Sequence, residues 1–332
     1  MLRQIVVLVV VFMIVVGVSL VGVDRVSAQD STGPAHHDFA ATESPNFDLV
    51  FSSMKEGGVA GLWKREYAGK TSLFRSEKGK NLLLPSISPD GKRIAWLSCN
   101  ADRSCELWSG NMDGTKPIQL AKEEMVTFLS KLTWAREPKN GKWAVVFSAR
   151  SGATQSEDLY MVRDDPNAKA QDITNSPNSH EEDPAVDPRT GALVASVLNK
   201  GSIEAHLCSL GTVNKVTAPV QVLDVTGNVL EASINPVDGR LAAVEVAPTN
   251  GGTVSILYYQ NTKGGWSYLF DTKMGLSQYP VWSHDGKHIL FTGYSDTGFR
   301  LFSFDTTLPN NQPVCLTCDI TIPTKEYTDN DQ

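Results

Sequence analysis

The stretch Pro85-Ser86-Ile87-Ser88-Pro89-Asp90-Gly91-Lys92-Arg93-Ile94-Ala95-Trp96-Leu97-Ser98 places a Pro-Asp-Gly turn between two runs of mainly apolar residues. In such a turn, proline presets φ at an early position, aspartate hydrogen-bonds the local backbone, and glycine takes the positive φ that closes the turn. The flanking residues are apolar, branched or aromatic, as in strands packed between sheets. The stretch therefore predicts a tight β-hairpin with buried strands.

Weaker copies of this hairpin recur along the chain. Their turn glycines lie 50, 50, 48 and 47 residues apart, at Gly91, Gly141, Gly191, Gly239 and Gly286. Each hairpin is followed by a strand in which a leucine usually precedes an aromatic residue, and then by a short closing strand. Four strands per unit at this period are typical of a β-propeller. A helical solenoid is excluded because no useful stretch has an apolar period of 3.6 residues.

The number of blades depends on the two ends of the repeat region. Residues 49–53, 62–63 and 71–74 match the second, third and fourth strands of a unit, so the chain enters blade one a strand late. Residues 320–323 form a spare short strand after the last full unit. We expect this strand to complete blade one, so that the N- and C-terminal strands share that blade and leave no open edge. The prediction is an all-β, six-bladed propeller over residues 46–324, with four antiparallel strands per blade and a flexible tail at 325–332.

The first 28 residues have the pattern of an export signal. Arg3 supplies a basic start, residues 5–23 are uncharged and apolar, and Val26-Ser27-Ala28 has the small residues that a signal peptidase requires. We expect cleavage before Gln29 and a disordered linker over 29–45, which is rich in Ser, Thr, Ala and Pro. The alternative is an uncleaved membrane anchor, because residues 5–23 are long enough to span a bilayer. Both interpretations place the protein outside the cytoplasm, in the periplasm or beyond the cell.

The net charge and the length of the chain indicate which classes of binding partner can be excluded. The formal net charge is −7 over 332 residues, whereas nucleic-acid binding needs a basic face. We therefore expect no nucleic-acid partner, and membrane contact only if the N-terminal segment is uncleaved. A chain of this size can bury a sufficient core by itself, so a monomer is expected.

Five cysteines are compatible with an oxidising compartment. Cys99 and Cys105 flank a polar stretch, and a bond across the neck of that loop would contribute about 2–3 kcal/mol. Cys315 and Cys318 form a C-x-x-C pair, which can bond only if the strand ends there, because residues three apart in a strand are about 10 Å apart. A structural disulfide or free thiols are favoured over redox chemistry, since no βαβ pattern surrounds the pair. Cys208 is interpreted as a small buried residue.

The repeat resembles the WD-repeat-like propeller repeats of the TolB family. The resemblance rests on Ser88-Pro89-Asp90-Gly91-Lys92 with Leu107-Trp108, and on His284-Asp285-Gly286-Lys287 with Leu301-Phe302. It implies a propeller outside the cytoplasm with a protein partner, since the TolB propeller is periplasmic and binds a peptidoglycan-associated lipoprotein. Only residues 29–45 separate the signal from the first expected strand, so we expect a propeller without the α/β domain of TolB.

One polar cluster, His180-Glu181-Glu182-Asp183, stands directly before the innermost strand expected in blade four. Such a segment reaches one mouth of the propeller channel, where Glu231 and Gln278 from blades five and six could join it. We predict a ligand- or partner-binding site at His180, Glu182, Asp183, Glu231 and Gln278. Paired carboxylates can bind a hard cation, and a solvated acidic loop is the simpler alternative.

Recognisable catalytic signatures are absent from the sequence. It contains neither a G-x-S-x-G nucleophile elbow nor a zinc-binding spacing of histidines, so we expect no catalytic residue, structural metal or cofactor. The leading hypothesis is an exported, non-catalytic module that binds a protein or peptide of the cell envelope. The alternative is a metal-assisted lyase or hydrolase acting on sugars or lactones, with a channel cation held by His180, Glu182 or Asp183. A third interpretation is a structural module of a larger envelope complex.

Overall fold

The computed structural model describes residues 36–320, except for 56–57, 103, 122–124, 128–129, 138–140, 152–155, 250–251, 270–275, 296–297 and 309–310. The predicted signal at 1–28, the first part of the linker and the tail at 325–332 lie outside these residues. Every regular element described is a β-strand, and the strands form six antiparallel sheets. In the described part of the chain there is no helix that is long and apolar enough to cross a bilayer.

The six sheets are the blades of a propeller and follow one another along the chain. Blade one contains β1 (His36–Glu43), β2 (Leu49–Lys55), β3 (Gly61–Arg65) and β4 (Thr71–Arg75). Blade two contains β5 (Asn81–Ile87), β6 (Arg93–Cys99), β7 (Cys105–Asn111) and β8 (Ile118–Leu120). Blade three contains β9 (Met125–Thr127), β10 (Thr133–Arg136), β11 (Trp143–Ser151), β12 (Asp158–Arg163) and β13 (Gln171–Asp172).

The second half of the ring repeats the same order. Blade four contains β14 (Ser179–Val186), β15 (Ala192–Asn199), β16 (His206–Thr212) and β17 (Lys215–Gln221). Blade five contains β18 (Asn228–Ile234), β19 (Leu241–Thr249), β20 (Gly252–Gln260) and β21 (Trp266–Leu269). Blade six contains β22 (Ser277–Trp282), β23 (His288–Ser295), β24 (Gly298–Asp305) and β25 (Val314–Cys315). The first strand of each blade lies innermost, and β1 contacts both β5 and β22, which completes the ring. The predicted six-bladed fold is confirmed.

The closure of the ring differs from the prediction. The innermost strand of blade one is β1, which pairs with β2 from His36 opposite Lys55 to Glu43 opposite Leu49. This strand occupies eight of the seventeen residues that were expected to form a disordered linker, and it fills the innermost position predicted for residues 320–323. The prediction that the C-terminal strand shares blade one is therefore wrong, although residues 321–323 themselves lie outside the described residues. Apolar and polar residues do not alternate along β1, because both faces of this strand are buried between blades. Polar residues are accommodated there by partners, as where Ser53 Oγ donates to Asp38 Oδ1 at 2.6 Å.

The first turn of blade one lacks the glycine that marks the hairpins of the other blades. Pro45-Asn46-Phe47 stands where the other blades have a turn ending in glycine, and Phe47 has a φ of 62°. The turn is closed by the N–H of Phe47, which donates to the carbonyl of Ser44 at 2.9 Å. The corresponding glycine of blade two, Gly91, has a φ of 69°. Blade one thus keeps the turn conformation without the residue that marks it in the sequence.

Apolar packing between adjacent blades forms the core. Val50 and Leu62 of blade one pack with Leu82, Ile94 and Trp96 of blade two. The largest fully buried side chains include aromatic residues on the second strands of blades one, two, three and six, namely Phe51, Trp96, Phe147 and Phe291. The hairpins therefore bury their apolar residues against neighbouring blades, as the repeat predicted.

Both candidate disulfides are present. Cys99 and Cys105 face each other across β6 and β7 with an S–S distance of 2.12 Å. Cys315 and Cys318 have an S–S distance of 1.97 Å, and β25 ends at Cys315 as this bond requires. Cys208 is buried as expected, and desolvation raises the pKa of its thiol to about 11. This thiol is therefore protonated and unreactive at neutral pH.

Candidate functional site

A regular distortion marks the middle of the innermost strands. The pairing of the first and second strands shifts between Phe39 and Thr42 in blade one and between Glu182 and Ala185 in blade four, and blades two, five and six shift at the same place. In blade three the innermost strand is divided into β9 and β10 at this point. The residues at the distortion have positive φ in five blades, at Ala40, Leu84, Asp183, Glu231 and Tyr279. Such bulges redirect a side chain out of the regular pleat.

Lys131 completes this set of residues in blade three. It stands two residues before β10, as Asp183 stands two residues before the point where β14 resumes its pairing at Ala185. We call the six residues the channel ring: Ala40, Leu84, Lys131, Asp183, Glu231 and Tyr279. Blades one and two contribute apolar residues to the ring, whereas blades three to six contribute polar ones.

A chain of hydrogen bonds links the polar half of the channel ring from blade to blade. The N–H of Lys131 donates to Asp183 Oδ1 at 3.0 Å, and the N–H of Glu231 donates to Asp183 Oδ2 at 3.1 Å. Ser130 Oγ accepts from the N–H of Asp183 at 2.8 Å. The N–H of Tyr279 then donates to Glu231 Oε2 at 2.6 Å. The two carboxylates thus satisfy peptide groups that the bulges remove from the sheet.

The ammonium group of Lys131 crosses the ring to the opposite blades. Its Nζ donates to the carbonyl of Ala232 at 2.8 Å and to the carbonyl of Pro280 at 2.6 Å. Blade three is thereby tied directly to blades five and six. The only residues that contribute a net charge to the channel ring are this cation and the carboxylates of Asp183 and Glu231, and the side chains of both acids are nearly fully buried.

Burial dominates the titration of these groups. It lowers the pKa of Lys131, although the carboxylates of Glu231 and Asp183 oppose that shift. Desolvation raises the pKa of Glu231, and the charge of Asp183 raises it further. Desolvation likewise raises the pKa of Asp183 and of the Tyr279 hydroxyl. Burial thus favours the neutral forms of these groups, whereas the opposite charges of Lys131 and the two carboxylates favour the charged forms of one another.

A cavity of about 400 Å³ lies at one end of the channel, the end at which the turns between the first and second strands of the blades are located. Its floor includes Lys131 and Tyr279 of the channel ring. Its walls are largely rigid apolar side chains, among them Pro85, Trp134, Pro184, Val281 and Trp282. Its rim carries exposed charged and polar groups, among them Asp90, Arg136 and His284. We call this the mouth cavity. A concave apolar pocket with a few polar groups is the usual form of a binding site.

The structure separates the predicted site residues into two sets. Asp183 and Glu231 belong to the channel ring and lie next to each other. His180, Glu182 and Gln278 precede the bulges in β14 and β22, toward the other end of the channel. The cluster at 180–183 also lies within β14 and not before it. None of the five residues lines the mouth cavity.

The environment of these residues differs from that of a metal site. His180 Nδ1 accepts from the N–H of Glu157 at 3.1 Å, and both oxygens of Asp183 accept from peptide N–H groups. Across the residues described, no group of three or more His, Cys, Asp or Glu side chains is placed to hold a metal ion. The arrangement favours a structural role for the acidic pair.

Sequence reasoning missed Lys131, Tyr279 and the mouth cavity. Aligning the repeats on the strand after each bulge would place Lys131 and Tyr279 opposite Asp183 and Glu231, so the sequence contains a signal for the ring. The cavity has no such signal, because packing between blades is sufficient to explain tryptophans such as Trp134 and Trp282 on inner strands. The structure shows both roles, since each is buried and also lines the cavity.

Comparison with known proteins supports the fold. No protein-family model matches the chain, and no curated protein matches it. The structure is similar to TolB from Acinetobacter baumannii, with a TM-score of 0.57 and 15% identity over 76% of this chain and 58% of that one. The chain thus spans less than two thirds of that TolB. This similarity confirms the predicted TolB-like propeller as a fold.

Two other solved propellers are similar over almost their whole length. The propeller domain of the Trilobed protease from Pyrococcus furiosus, described as having an open velcro topology, has a TM-score of 0.53 and 13% identity over 89% of this chain and 100% of that one. Oligogalacturonate lyase from Vibrio parahaemolyticus has a TM-score of 0.51 and 12% identity over 85% of this chain and 93% of that one. The same fold therefore occurs in proteins with different functions, and function must be argued from the site.

Proposed function

We propose that this protein is an exported, non-catalytic propeller that binds a protein or peptide segment of the cell envelope in its mouth cavity. The observation that supports this proposal is the combination of a closed floor, apolar walls and a charged rim. Lys131 occupies the axis beneath the cavity, with its ammonium bound to the carbonyls of Ala232 and Pro280. An occupant would therefore enter from one side and stop at the ring.

The walls suit a peptide side chain better than a polar small molecule. Trp134 and Trp282 are already held in place, since each is almost fully buried, and the Nε1–H of Trp134 donates to the carbonyl of Ser86 at 2.9 Å. Rigid aromatic and proline surfaces bury apolar groups at a low cost in conformational entropy. At the rim, Arg136, Asp90 and His284 offer charges of both signs to a partner's backbone and polar side chains. Apolar anchors inside a polar rim are the usual arrangement of a protein-binding hot spot.

The two disulfides support a location outside the cytoplasm. Bonds at Cys99–Cys105 and Cys315–Cys318 persist in the periplasm or outside the cell, whereas cytosolic thiols are kept reduced. They agree with the export signal expected from residues 1–28. The protein is therefore proposed to meet its partner in the envelope or at the cell exterior.

The test is to fill the cavity. Val281 is a half-buried residue of the cavity wall, so Val281→Trp should occupy the space meant for the partner. Ile203→Trp, on an exposed loop of blade four, adds the same ring far from the cavity. Both variants and the wild type are used to capture partners by chemical crosslinking in envelope preparations of the native host.

We expect a specific partner that is captured by the wild type and by Ile203→Trp and that is lost with Val281→Trp. Far-UV circular dichroism would verify that all three proteins are folded. Equal capture by the two variants would place binding elsewhere on the molecule. Failure to capture any specific partner with the wild type would count against a binding module altogether.

The alternative is a metal-assisted lyase or hydrolase, and its support is the shared fold of oligogalacturonate lyase. It would require His180, Glu182 or Asp183 to bind a cation near the channel. Both oxygens of Asp183 are engaged by peptide N–H groups, so a cation would have to displace hydrogen bonds that hold the bulges. Metal analysis of protein purified from its host decides between the two proposals, since one bound cation per chain would favour the enzyme.

A further inference from the structure

The turn formed by Cys315–Cys318 is docked on blade six by hydrogen bonds to one strand. The N–H of Leu316 donates to the carbonyl of Leu301 at 2.7 Å. The N–H of Leu301 in turn donates to Thr317 Oγ1 at 3.0 Å. Thr317 has no exposed surface, so this small turn is packed against β24 and held there by its hydrogen bonds.

The same turn and the two residues after it reach across to blade one. Leu316 and Ile320 pack against a cluster that includes Phe51 and Trp63 of blade one and Leu301 of blade six. Arg65 on β3 pairs with Asp319 at 3.4 Å. This contact lies where blades one and six meet, and among the described blades these are the only neighbours that do not follow one another in the chain. We call this junction the seam.

The two disulfides differ in their access to solvent. Cys318 is exposed, at the outer end of the turn. Cys99, which pairs with Cys105 between two strands, is 2% exposed, and Cys105 and Cys315 are both half-buried, so the difference in access lies between Cys318 and Cys99. Because exchange requires a thiolate to approach a sulfur along the S–S axis, access decides which bond reacts. The two bonds therefore provide an internal comparison within one folded chain.

We propose that the Cys315–Cys318 disulfide is a site of thiol–disulfide exchange through which a dithiol reductant loosens the seam. A thiolate of the reductant attacks Cys318 Sγ, a mixed disulfide forms, and Cys315 leaves as a thiolate. The second thiol of the reductant then attacks the reductant sulfur that is bonded to Cys318 Sγ. A disulfide forms within the reductant, and Cys318 leaves as a thiolate. Two electrons pass to the cysteine pair, the two protons of the reductant thiols end on the cysteines, and the reductant becomes a disulfide.

Reduction affects the seam because the Cys315–Cys318 disulfide closes a short loop and so holds the turn in its conformation. Without the bond, residues 315–318 regain conformational freedom that the disulfide removes. The positions of Leu316, Thr317 and Asp319 against Trp63, Leu301 and Arg65 then become less populated. The expected change is an opening of β1 and β24 relative to each other, while the hairpins of blades two to five stay protected. The preferred reductant is an extracytoplasmic dithiol protein, and the reaction is independent of the mouth cavity.

The test uses the wild-type protein under native conditions with dithiothreitol as the probe. Samples are quenched with an alkylating reagent at increasing times, and alkylated cysteines are located by mass spectrometry. We expect Cys315 and Cys318 to be labelled at least about tenfold faster than Cys99 and Cys105, given the dependence of exchange on access. Equal rates, or faster labelling of Cys99 and Cys105, would overturn the proposal.

Hydrogen exchange then measures the effect on the seam. Selectively reduced and alkylated protein should show faster exchange in β1 and β24 than the oxidised protein, with β6 and β7 unchanged. Thr317→Val, which removes the side-chain acceptor for the N–H of Leu301 but keeps the disulfide, should reproduce part of this change. The control Thr307→Val, on an exposed turn of the same blade, should not. Selective reduction without faster exchange in β1 would show that the bond does not control the seam.

Discussion

The seam and the polar half of the channel ring hold blades together in different ways. At the seam the bonds involve peptide groups of β1: the N–H of Ala40 donates to Thr292 Oγ1 at 3.1 Å, and Arg300 Nη1 donates to the carbonyl of His36. In the ring, the half-buried Lys131 lies beside two buried carboxylates and reaches across the axis. Blades that follow one another in the chain have short connections, whereas blade one meets blade six only after the whole chain has closed, which costs more conformational entropy.

The two regions should therefore respond differently to substitution. Breaking a buried ionic cluster leaves a charge without its partner, which is costly even when the complete cluster adds little net stability. Breaking a neutral hydrogen bond at the seam costs the smaller amount typical of such bonds. Substitutions that unbalance the charges of the channel ring are thus expected to lower the stability of the fold strongly. Loss of single contacts at the seam is expected to cost less and to open that junction locally.

The largest effect is expected at Lys131. Lys131→Met removes the cation and leaves Asp183 and Glu231 buried together, which should lower the free energy of unfolding by about 3–5 kcal/mol. Urea denaturation at pH 8 measures the change. Adding Glu231→Gln to this variant removes one of the two like charges and should restore a large part of the loss. Additive effects of the two substitutions would contradict the coupling within the ring.

An intermediate, pH-dependent effect is expected at Glu181, which lies two residues before Asp183 in the same strand. Desolvation raises the pKa of its carboxyl to about 7, and the charge of Asp158 contributes. In the unfolded chain the carboxyl has the ordinary glutamate pKa of 4.5. Between these two pH values the folded state retains a proton that the unfolded state has released, so this group destabilises the fold progressively as pH rises.

Glu181→Gln should therefore be more stable than the wild type at pH 8 by about 1–3 kcal/mol, and the difference should disappear below about pH 4.5. Thermal unfolding measured from pH 4 to pH 8 gives the dependence. Glu204→Gln, on the loop between β15 and β16 of the same blade, is the matched control and is measured in parallel. A constant difference across the range would mean that the Glu181 carboxyl does not titrate in this window.

The smallest effect is expected at the first turn of blade one, between β1 and β2. Phe47 adopts a φ of 62° that glycine tolerates better. Its ring also packs against the ring of Tyr67, with 5.9 Å between the two ring centroids. Phe47→Ala removes the ring and keeps the strain, whereas Phe47→Gly removes both. We expect the glycine variant to be more stable than the alanine variant by about 1 kcal/mol, measured by thermal unfolding. A more stable alanine variant would show that the turn is not strained.

Particular residues show how far the fold could be predicted. The five Pro-Asp-Gly-like hairpins predicted the turns correctly because Gly91 and its counterparts must adopt positive φ. The innermost strand of blade one was not predicted because Phe47 replaces that glycine and because β1, with the sequence HHDFAATE, has no alternating pattern. The same residues were therefore assigned to a linker, and the ring closure was assigned to the wrong end of the chain.

The candidate site was less predictable than the fold. Asp183 and Glu231 were selected as residues near the channel, and the structure brings them together in the channel ring. Their cation, Lys131, was missed because it is distant in sequence from both, by 52 residues from Asp183. The mouth cavity depends on side chains from every blade that face one axis, and local sequence patterns contain no information on that convergence.

The sequence by itself determined the local structure of this protein: turns that require positive φ, strands that require buried apolar faces, and a period that allows only a ring of similar sheets. The tertiary structure alone decided how the ring closes and what occupies its axis. Turn and strand preferences arise from atoms within a few residues of each other, and they are repeated in nearly every blade. The seam and the channel ring arise from contacts between residues separated by up to the length of the propeller, so they are determined only once all six blades are packed.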